Sequence, residues 1–456
     1  MDSPVLQTSS PPDVDPWSDT DALFRGIPES DVQLLTGQVQ RREALIQSLP
    51  PRHLRSQDEQ QRVETLRSNC RSLRQQFLSL HAGWLYRALT KEFTDRRSLR
   101  ELAYGAADLS PGLVPSPALM AEERGHPQSE KEGHEIDQGL LFHAWLRSPK
   151  IGGHIVESAL RPTNRAQTLL PAFGSSTGLD LGTVLIERRD GAAHLTIRNE
   201  HCLNAEDDRL IDDLEAAVDL TLLDDEIRVG VLRGGVMTHP RYAGRRVFSA
   251  GINLKALHLG QISFVDFLLR RELGYISKMV RGLNLDRRAA GSSKGAADEK
   301  KLGKPWIAAV DSFAIGGGAQ LLLVCDRVIA AADSYFSLPA AQEGIVPGLA
   351  NLRLTRLLGS RKARQVILYG RRISAQEPDS SLLADEVVDP TEMEKTIESS
   401  VQQLSKPAVA ANRHMLNLAE EPVGTFREYV AEFALVQAQR LYSPDVLAKV
   451  GKFSRG

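Results

Sequence analysis

Cysteine is scarce in this sequence: Cys70, Cys202 and Cys325 are the only three, far apart and without a C-x-x-C pair. That spacing excludes a disulfide framework and a local zinc site, and the three read as small buried residues. Neither sign of charge prevails, with 56 Lys and Arg against 58 Asp and Glu and a formal net charge of −2. No nucleic-acid or membrane partner is therefore expected, and a small anionic ligand needs only a local basic patch. No stretch is long and apolar enough to span a bilayer, and Met1-Asp2-Ser3-Pro4 lacks the basic start and apolar run of a secretory signal. The expectation is a cytoplasmic protein. The eleven histidines include no H-E-x-x-H. His126, His134 and His143 come closest to a cluster but straddle Pro127 and Gly133, so surface or locally hydrogen-bonded roles are expected and no metal site. A P-loop is missing too, as is a G-x-G-x-x-G with an acid after it.

What is present divides the 456 residues into more than one average domain. Residues 1–20, rich in Pro, Ser and Asp, read as a disordered tail. Residues 21–175 read as a helical N-terminal domain, 176–360 as an α/β core and 361–456 as a C-terminal helical region. Val63, Leu66, Cys70, Leu73, Phe77, Leu80 and Trp84 alternate steps of three and four, which lays one apolar seam along a long helix. Docking inside the helical domain is the preferred reading of that seam, with another subunit as the alternative. A second helix is expected through Leu140, Leu141, Trp145 and Leu146, and the Pro/Gly/Ser/Thr-rich stretch 167–182 marks the domain boundary. Beyond it, the apolar runs 183–187 and 193–198 flank Asp190-Gly191, a hairpin signal. Helices near 207–223 and 264–280 then alternate with strands at 227–232, 306–310 and 327–331, which argues for parallel pairing. Further helices are expected at 349–358, 361–368, 391–404 and 424–441, and the charged, Gly/Ser-containing segment 285–304 reads as an insertion, a linker or a lid.

Two glycine turns stand out: Phe248-Ser249-Ala250-Gly251-Ile252-Asn253-Leu254 and Ala314-Ile315-Gly316-Gly317-Gly318-Ala319-Gln320. Each follows a strand-like run and precedes a helical one, so each can aim backbone N–H groups out of a helix N-terminus. Two such donors converging on one point make an oxyanion hole. With the later run from Ser337 through Pro339, Ala340 and Glu343 to Pro347-Gly348, the order of these segments resembles the crotonase superfamily, which acts on acyl-CoA thioesters. The resemblance covers the C-terminal 60% of the chain or so, and it implies a spiral of ββα units whose C-terminal helices cover the pocket and carry oligomer contacts, giving trimers or hexamers. By position it makes Ile252 and Gly317 the two N–H donors.

Hydratases of that superfamily also use two glutamates. Their positions hold Gln320 and Ala340 here, and neither can exchange a proton. Glu343, three residues on, reads either as a displaced acid or as a solvated loop carboxylate. The chain thus keeps the means to stabilise an enolate and loses the hydration machinery. An aryl-stabilised carbanion can react directly with O2 in an apolar pocket. The helical extension and the Gln320 and Ala340 replacements resemble a cofactor-independent dioxygenase branch of the superfamily that serves glycopeptide-antibiotic biosynthesis. That resemblance implies O2 and an arylacetyl-CoA thioester as substrates, with no metal and no flavin. It also implies Glu206, Arg271 and Gln320 as polar partners of ring hydroxyls, beside Ala250, Gly251, Asn253 and Ile315 in the substrate pocket. From the residues alone, Arg271 reads equally as a solvated helix face and Glu206 as a first-turn helix charge. Arg246, just before the first turn, is the candidate for the CoA phosphates, or else part of a solvated basic loop. A crotonase-fold thioesterase or decarboxylase, and a non-catalytic or RNA-binding scaffold, remain as alternatives.

Overall fold

The structure, a computed structural model, describes residues 24–285 and 300–450. The tail expected over residues 1–20 and most of the 285–304 insertion lie outside the described residues. Among the described residues, seven helices come first: α1 (Pro28–Gln47), α2 (Gln57–Thr90), α3 (Leu99–Leu109), α4 (Pro117–Arg124), α5 (Glu135–Arg147), α6 (Pro149–Ala159) and α7 (Asn164–Gly174). Their starts are written locally. Ser56 and Ser98 form reciprocal capping boxes with Glu59 and Glu101, and Ser116, Ser148 and Thr163 accept from the first turns of α4, α6 and α7. α7 reaches Gly174, so the stretch expected as a boundary is helical throughout its first half, with Pro171 inside the helix.

The seam on α2 is the expected one as far as Phe77 and then departs from it. Val63, Leu66, Cys70, Leu73 and Phe77 are buried, but Leu80 is 54% exposed and the buried line continues through His81, Leu85 and Leu89. A straight helix of 3.6 residues per turn drifts away from a 3.5-residue repeat, so over three heptads the buried stripe moves on by about one position. Burial of that stripe is intramolecular. His81 pairs with Asp31 of α1 at 2.7 Å, Trp145 of α5 donates to the Ala82 carbonyl at 3.0 Å, and Arg74 reaches Asp137 of α5 at 2.9 Å. Of the cysteines, Cys70 is buried whereas Cys202 and Cys325 are half-buried, and all three are free thiols.

The chain then builds β1 (Gly178–Asp180), β2 (Val184–Arg189), β3 (Ala192–Ile197), α8 (Asp208–Leu223), β4 (Val229–Gly234) and α9 (Leu254–His258). Asp190 and Gly191, both at positive φ, close the β2–β3 hairpin with Arg189 opposite Ala192. A bent helix over residues 264–281 follows, made of two π-helical segments, Phe264–Leu269 and Glu272–Ile276, and a last α-helical turn, α10 (Ser277–Arg281). After it come β5 (Leu283–Leu285), β6 (Lys300–Leu302), β7 (Trp306–Val310), β8 (Phe313–Ile315), α11 (Gly317–Leu322), β9 (Arg327–Ala331), β10 (Tyr335–Ser337), α12 (Ala340–Glu343), α13 (Ala350–Tyr369), β11 (Ile373–Ser374) and β12 (Glu386–Val388). Four helices end the described chain: α14 (Met393–Leu404), α15 (Pro407–Glu420), α16 (Val423–Arg440) and α17 (Pro444–Val450). α13 is two helical stretches that meet at Gly359, whose φ/ψ are not helical, which agrees with the two helices the sequence suggests; α15 was not expected.

Seven strands form one sheet in the order β1-β2-β3-β4-β7-β9-β12, antiparallel to β3 and parallel from there on. β11, β10 and β8 form a second sheet. The two faces of the large sheet are divided by the period of two along each strand. Val229, Val231, Ile307 and Ala309 pack on Met393 and Ile397 of α14. Leu232, Trp306 and Val310 face the other way, into one continuous core shared with Phe77 and Trp145 of the N-terminal helices and Phe426 of α16. Among the described residues, no helix is long and apolar enough to cross a membrane, and no three His, Cys, Asp or Glu are grouped to hold a metal ion.

Buried charge fixes the bent helix against α8. Lys278, fully buried, lies 2.8 Å from both Glu215 and Asp219, and Arg270 reaches Glu215 at 2.6 Å and Asp212 at 2.9 Å. Burial pulls the Lys278 ammonium down, but Asp219 and Glu215 outweigh it and hold the group above its ordinary range. The backbone opens at Gly274, whose φ/ψ leave the helical region and where a Cβ would stand 2.8 Å from Glu215 Oε1. Lys278→Met is expected to leave two carboxylates without their shared cation and to lower stability by about 3–5 kcal/mol. Denaturant unfolding checks this, and an unchanged midpoint would refute it.

Candidate active site

The site lies beyond the carboxyl ends of the parallel strands, where both glycine turns meet. Ser249 bridges Ala314 in parallel, and the Ile315 N–H donates to the Ser249 carbonyl at 2.9 Å. Ile252 bridges Glu206 in parallel: the Glu206 N–H donates to Gly251 (2.7 Å) and the Asn253 N–H to Glu206 (2.8 Å). In that pattern the neighbours of Ile252 make the bonds, and its own N–H points away from them. Gly317 opens α11, so its N–H has no acceptor within the helix. Neither N–H has a hydrogen-bond acceptor among the described residues, and both residues line one cavity of about 730 Å³, part of it open to solvent. Gly251, at φ +84°, is the pivot. A side chain there would be strained and would meet Gly317 N at 3.1 Å.

Beside these donors sits a buried ion network centred on Arg271, between the two π-helical segments. Its Nε and Nη2 make a fork with Glu206 at 2.8 and 3.0 Å. Nη2 also donates to the Gly317 carbonyl at 2.9 Å, and Nη1 donates to Glu272 at 2.8 Å and to Gln320 Oε1 at 2.9 Å. These bonds occupy all five guanidinium N–H groups. The sequence reading gave Arg271 a donor for a ring hydroxyl. In the structure its contacts are with Glu206, Glu272, Gln320 and the Gly317 carbonyl. Because Arg271 takes the Gln320 oxygen, the amide nitrogen of Gln320 is the end left for a ligand. Tyr275 O–H donates to Glu206 at 3.3 Å, and burial with the Glu206 charge beside it keeps that phenol well above its ordinary range.

Glu272 extends the network. Its second oxygen is 3.7 Å from Arg353, and Arg353 forks onto Glu421 at 2.8 and 3.1 Å, where Arg281 joins at 2.7 Å. Burial raises the Glu272 carboxyl more than Arg271 and Arg353 lower it. Burial acts on Glu421 too, yet its two arginines hold it at about 2. Gly348, at φ +47°, lies against both Glu272 and Gln320, where a Cβ would overlap the Glu272 carboxylate. The Pro347-Gly348 motif is therefore packed directly on the polar cluster.

Of the residues singled out from sequence, Glu206, Ala250, Gly251, Ile252, Arg271, Ile315, Gly317 and Gln320 line this cavity, with Ala340 and Glu343. Asn253 does not. Its side chain caps α9, accepting from the Ala256 N–H at 3.0 Å. Arg246 also stands outside the lining, half-buried, donating to the Gly234 carbonyl at 3.1 Å. His134 is buried rather than at the surface, and His143 pairs with Glu432 at 3.2 Å. Glu272, Tyr275, Phe433 and Gln437 were not expected from the sequence. The charged triplet Arg270-Arg271-Glu272 inside the otherwise largely apolar run from Phe264 to Ile276 was the signal for Glu272. Nothing local pointed to Gln437, more than a hundred residues beyond the second turn.

Residues 295–431 match the family model of enoyl-CoA hydratases and isomerases. Over 429 residues, 94% of this chain and 97% of the relative, the sequence is 53% identical to the (3,5-dihydroxyphenyl)acetyl-CoA 1,2-dioxygenase of Amycolatopsis orientalis. The chain belongs to the crotonase family. A probable enoyl-CoA hydratase of Rhizobium meliloti is 30% identical to this crotonase over 248 residues, 52% of this chain and 84% of that one. An enoyl-CoA hydratase/isomerase structure from Xanthobacter autotrophicus covers 60% of this chain and 93% of its own at 23% identity and a TM-score of 0.49. The crotonase core of this chain carries N-terminal and C-terminal helices in addition, as the sequence led one to expect.

Proposed function

We propose that the protein is a (3,5-dihydroxyphenyl)acetyl-CoA 1,2-dioxygenase, forming 3,5-dihydroxyphenylglyoxylate and free CoA from the thioester and O2 without metal or flavin. The observation that carries this reading is the 53% identity spanning nearly the whole of both chains, N-terminal helices included. The thioester carbonyl sits between the Ile252 and Gly317 N–H groups, each worth about 3 kcal/mol as enolate charge develops on its oxygen. Loss of the α-proton then leaves a carbanion that the aryl ring shares. Both atoms of O2 enter the keto acid, and the two α-hydrogens leave as the proton of the carboxylic acid and that of the CoA thiol. The balance needs no outside reductant. Phe267, Leu268, Leu338, Ile345 and Phe433 supply an apolar lining that admits O2 and excludes water from the carbanion. Gln320 through its amide nitrogen and Glu206 through its carboxylate serve the ring hydroxyls. With Gln320 and Ala340 in the two glutamate positions, no residue there adds water.

Arg246 is the group for the CoA phosphates. Burial and the nearby Arg233 lower its guanidinium, a tension that a bound anion relieves. The exposed apolar side chains Met415, Leu416 and Leu418 of α15 and Leu357, Leu368 and Tyr369 of α13 support assembly with further copies through the C-terminal helices. A cytoplasmic setting, with its CoA thioesters, fits this reading.

The test is O2 uptake by metal-stripped, flavin-free protein on adding the thioester, with CoA release followed in parallel. Equal amounts of O2 consumed, CoA released and keto acid formed are expected. CoA release without O2 uptake would overturn the reading and indicate a thioesterase.

A further inference from the structure

One polar group on the cavity wall is left without a role by this chemistry. Gln437, on α16, is fully buried and lines the cavity. Its Oε1 accepts the Val346 N–H at 2.8 Å, and that bond decides which end of the amide is which. Its Nε2 is buried and has no hydrogen-bond partner among the described residues. Buried amide donors are rarely left unpaired, because each has given up water for nothing in return. An orphaned donor on the wall of a ligand cavity is the mark of a ligand acceptor.

The position of this donor is tied to the polar cluster by three consecutive residues. Val346 is held by Gln437, and Gly348 lies on Gln320 and Glu272. Successive Cα atoms are about 3.8 Å apart, so the two glutamines flank one short stretch of chain from its two ends. Each amide has its oxygen taken by the protein, Gln320 by Arg271 and Gln437 by Val346, and each has only its nitrogen to offer.

We infer that Gln437 is a specificity-determining residue that donates to the second meta-oxygen of the substrate ring, so that the two ring oxygens accept from two amides, Gln320 and Gln437, while Glu206 accepts from a ring hydroxyl. This rests on the reading of the substrate as a 3,5-dihydroxyphenylacetyl thioester. A ring with one hydroxyl satisfies one amide and leaves the other orphaned, which is how the site distinguishes the two.

The experiment measures binding without turnover. Under anaerobic conditions the wild-type protein and the variants Gln437→Met and Gln437→Leu are titrated with 3,5-dihydroxyphenylacetyl-CoA and with 3-hydroxyphenylacetyl-CoA. The wild type is expected to prefer the dihydroxy ligand by about tenfold, the scale of one buried hydrogen bond. In both variants that preference should fall to near unity. A purely structural role for the bond to Val346 would weaken both ligands alike and keep the ratio, and that result would overturn the inference. A wild-type ratio near one overturns it whether or not either variant folds. Tight wild-type binding of both ligands with no preference leaves the proposed function standing, whereas binding of neither ligand overturns both.

Discussion

Arg271→Met is expected to cost the enzyme about 10²-fold or more in turnover and about 3–5 kcal/mol in stability. The two losses have one origin. Among the described residues, Arg271 alone joins Glu206, Glu272, Gln320 and the Gly317 carbonyl, and it does so with every N–H it has. Burial alone would lower its guanidinium, yet the surrounding carboxylates and phenol raise it, so the charge is firmly held. Its removal leaves Glu206 beside Glu272, two carboxylates in an apolar setting with one cation fewer. The Gln320 amide loses the bond that fixes which end faces the ligand. Methionine fills the space of the arginine stem, so the loss measures charge and hydrogen bonding more than volume. Arg271→Lys separates those two. It retains the charge, and with it part of the stability, but a lysine has three donors and no planar fork, so the rate should remain low. Rates of O2 uptake and denaturant midpoints for both variants are the measurements. A stable, fast Arg271→Met protein would show that the network does not position the site.

Gly317→Ala is expected to lower turnover by about 10²–10³-fold, the range for loss of one oxyanion donor. Helix propensity works the other way, since alanine is favoured over glycine in a helix by about 1 kcal/mol. Space decides the outcome: a Cβ at Gly317 would overlap the Glu206 carboxylate and stand 3.2 Å from Arg271 Nη2. Either the turn moves and takes the N–H with it, or Glu206 gives up its fork with Arg271. Anaerobic binding of the thioester should change much less than the rate, because the donor matters most once charge reaches the oxygen. Gly153→Ala in α6 is the control. A Cβ there meets nothing within 4 Å, so wild-type activity and unchanged or slightly higher stability are expected. Wild-type turnover in the Gly317→Ala protein would remove this N–H from the mechanism.

Local rules made much of the fold readable. The Asp190-Gly191 turn, the strand 306–310 and the start of α8 at Asp207 each depend on a few adjacent residues, and the structure has them where the sequence puts them. The seam on α2 was legible for two heptads and then lost, because periodicity is a local quantity and drift accumulates. The two glycine turns were legible for a similar reason. A glycine between a strand and a helix leaves few backbone paths, and two of them in order are informative.

The polar cluster was legible only as a set of names. Sequence alone determined that Glu206, Arg271 and Gln320 are present, that the two glutamate positions are empty of acid, and that the turns can offer free N–H groups. Only the tertiary structure decided what those groups touch. Hydrogen bonds are short and directional, and a guanidinium has a fixed number of them. Whether Arg271 serves a ligand or its neighbours therefore depends on partners at positions 206, 272, 317 and 320, fixed within tenths of an ångström. The same holds for Asn253, drawn off into a helix cap, and for Gln437, carried to the cavity by a helix far along the chain.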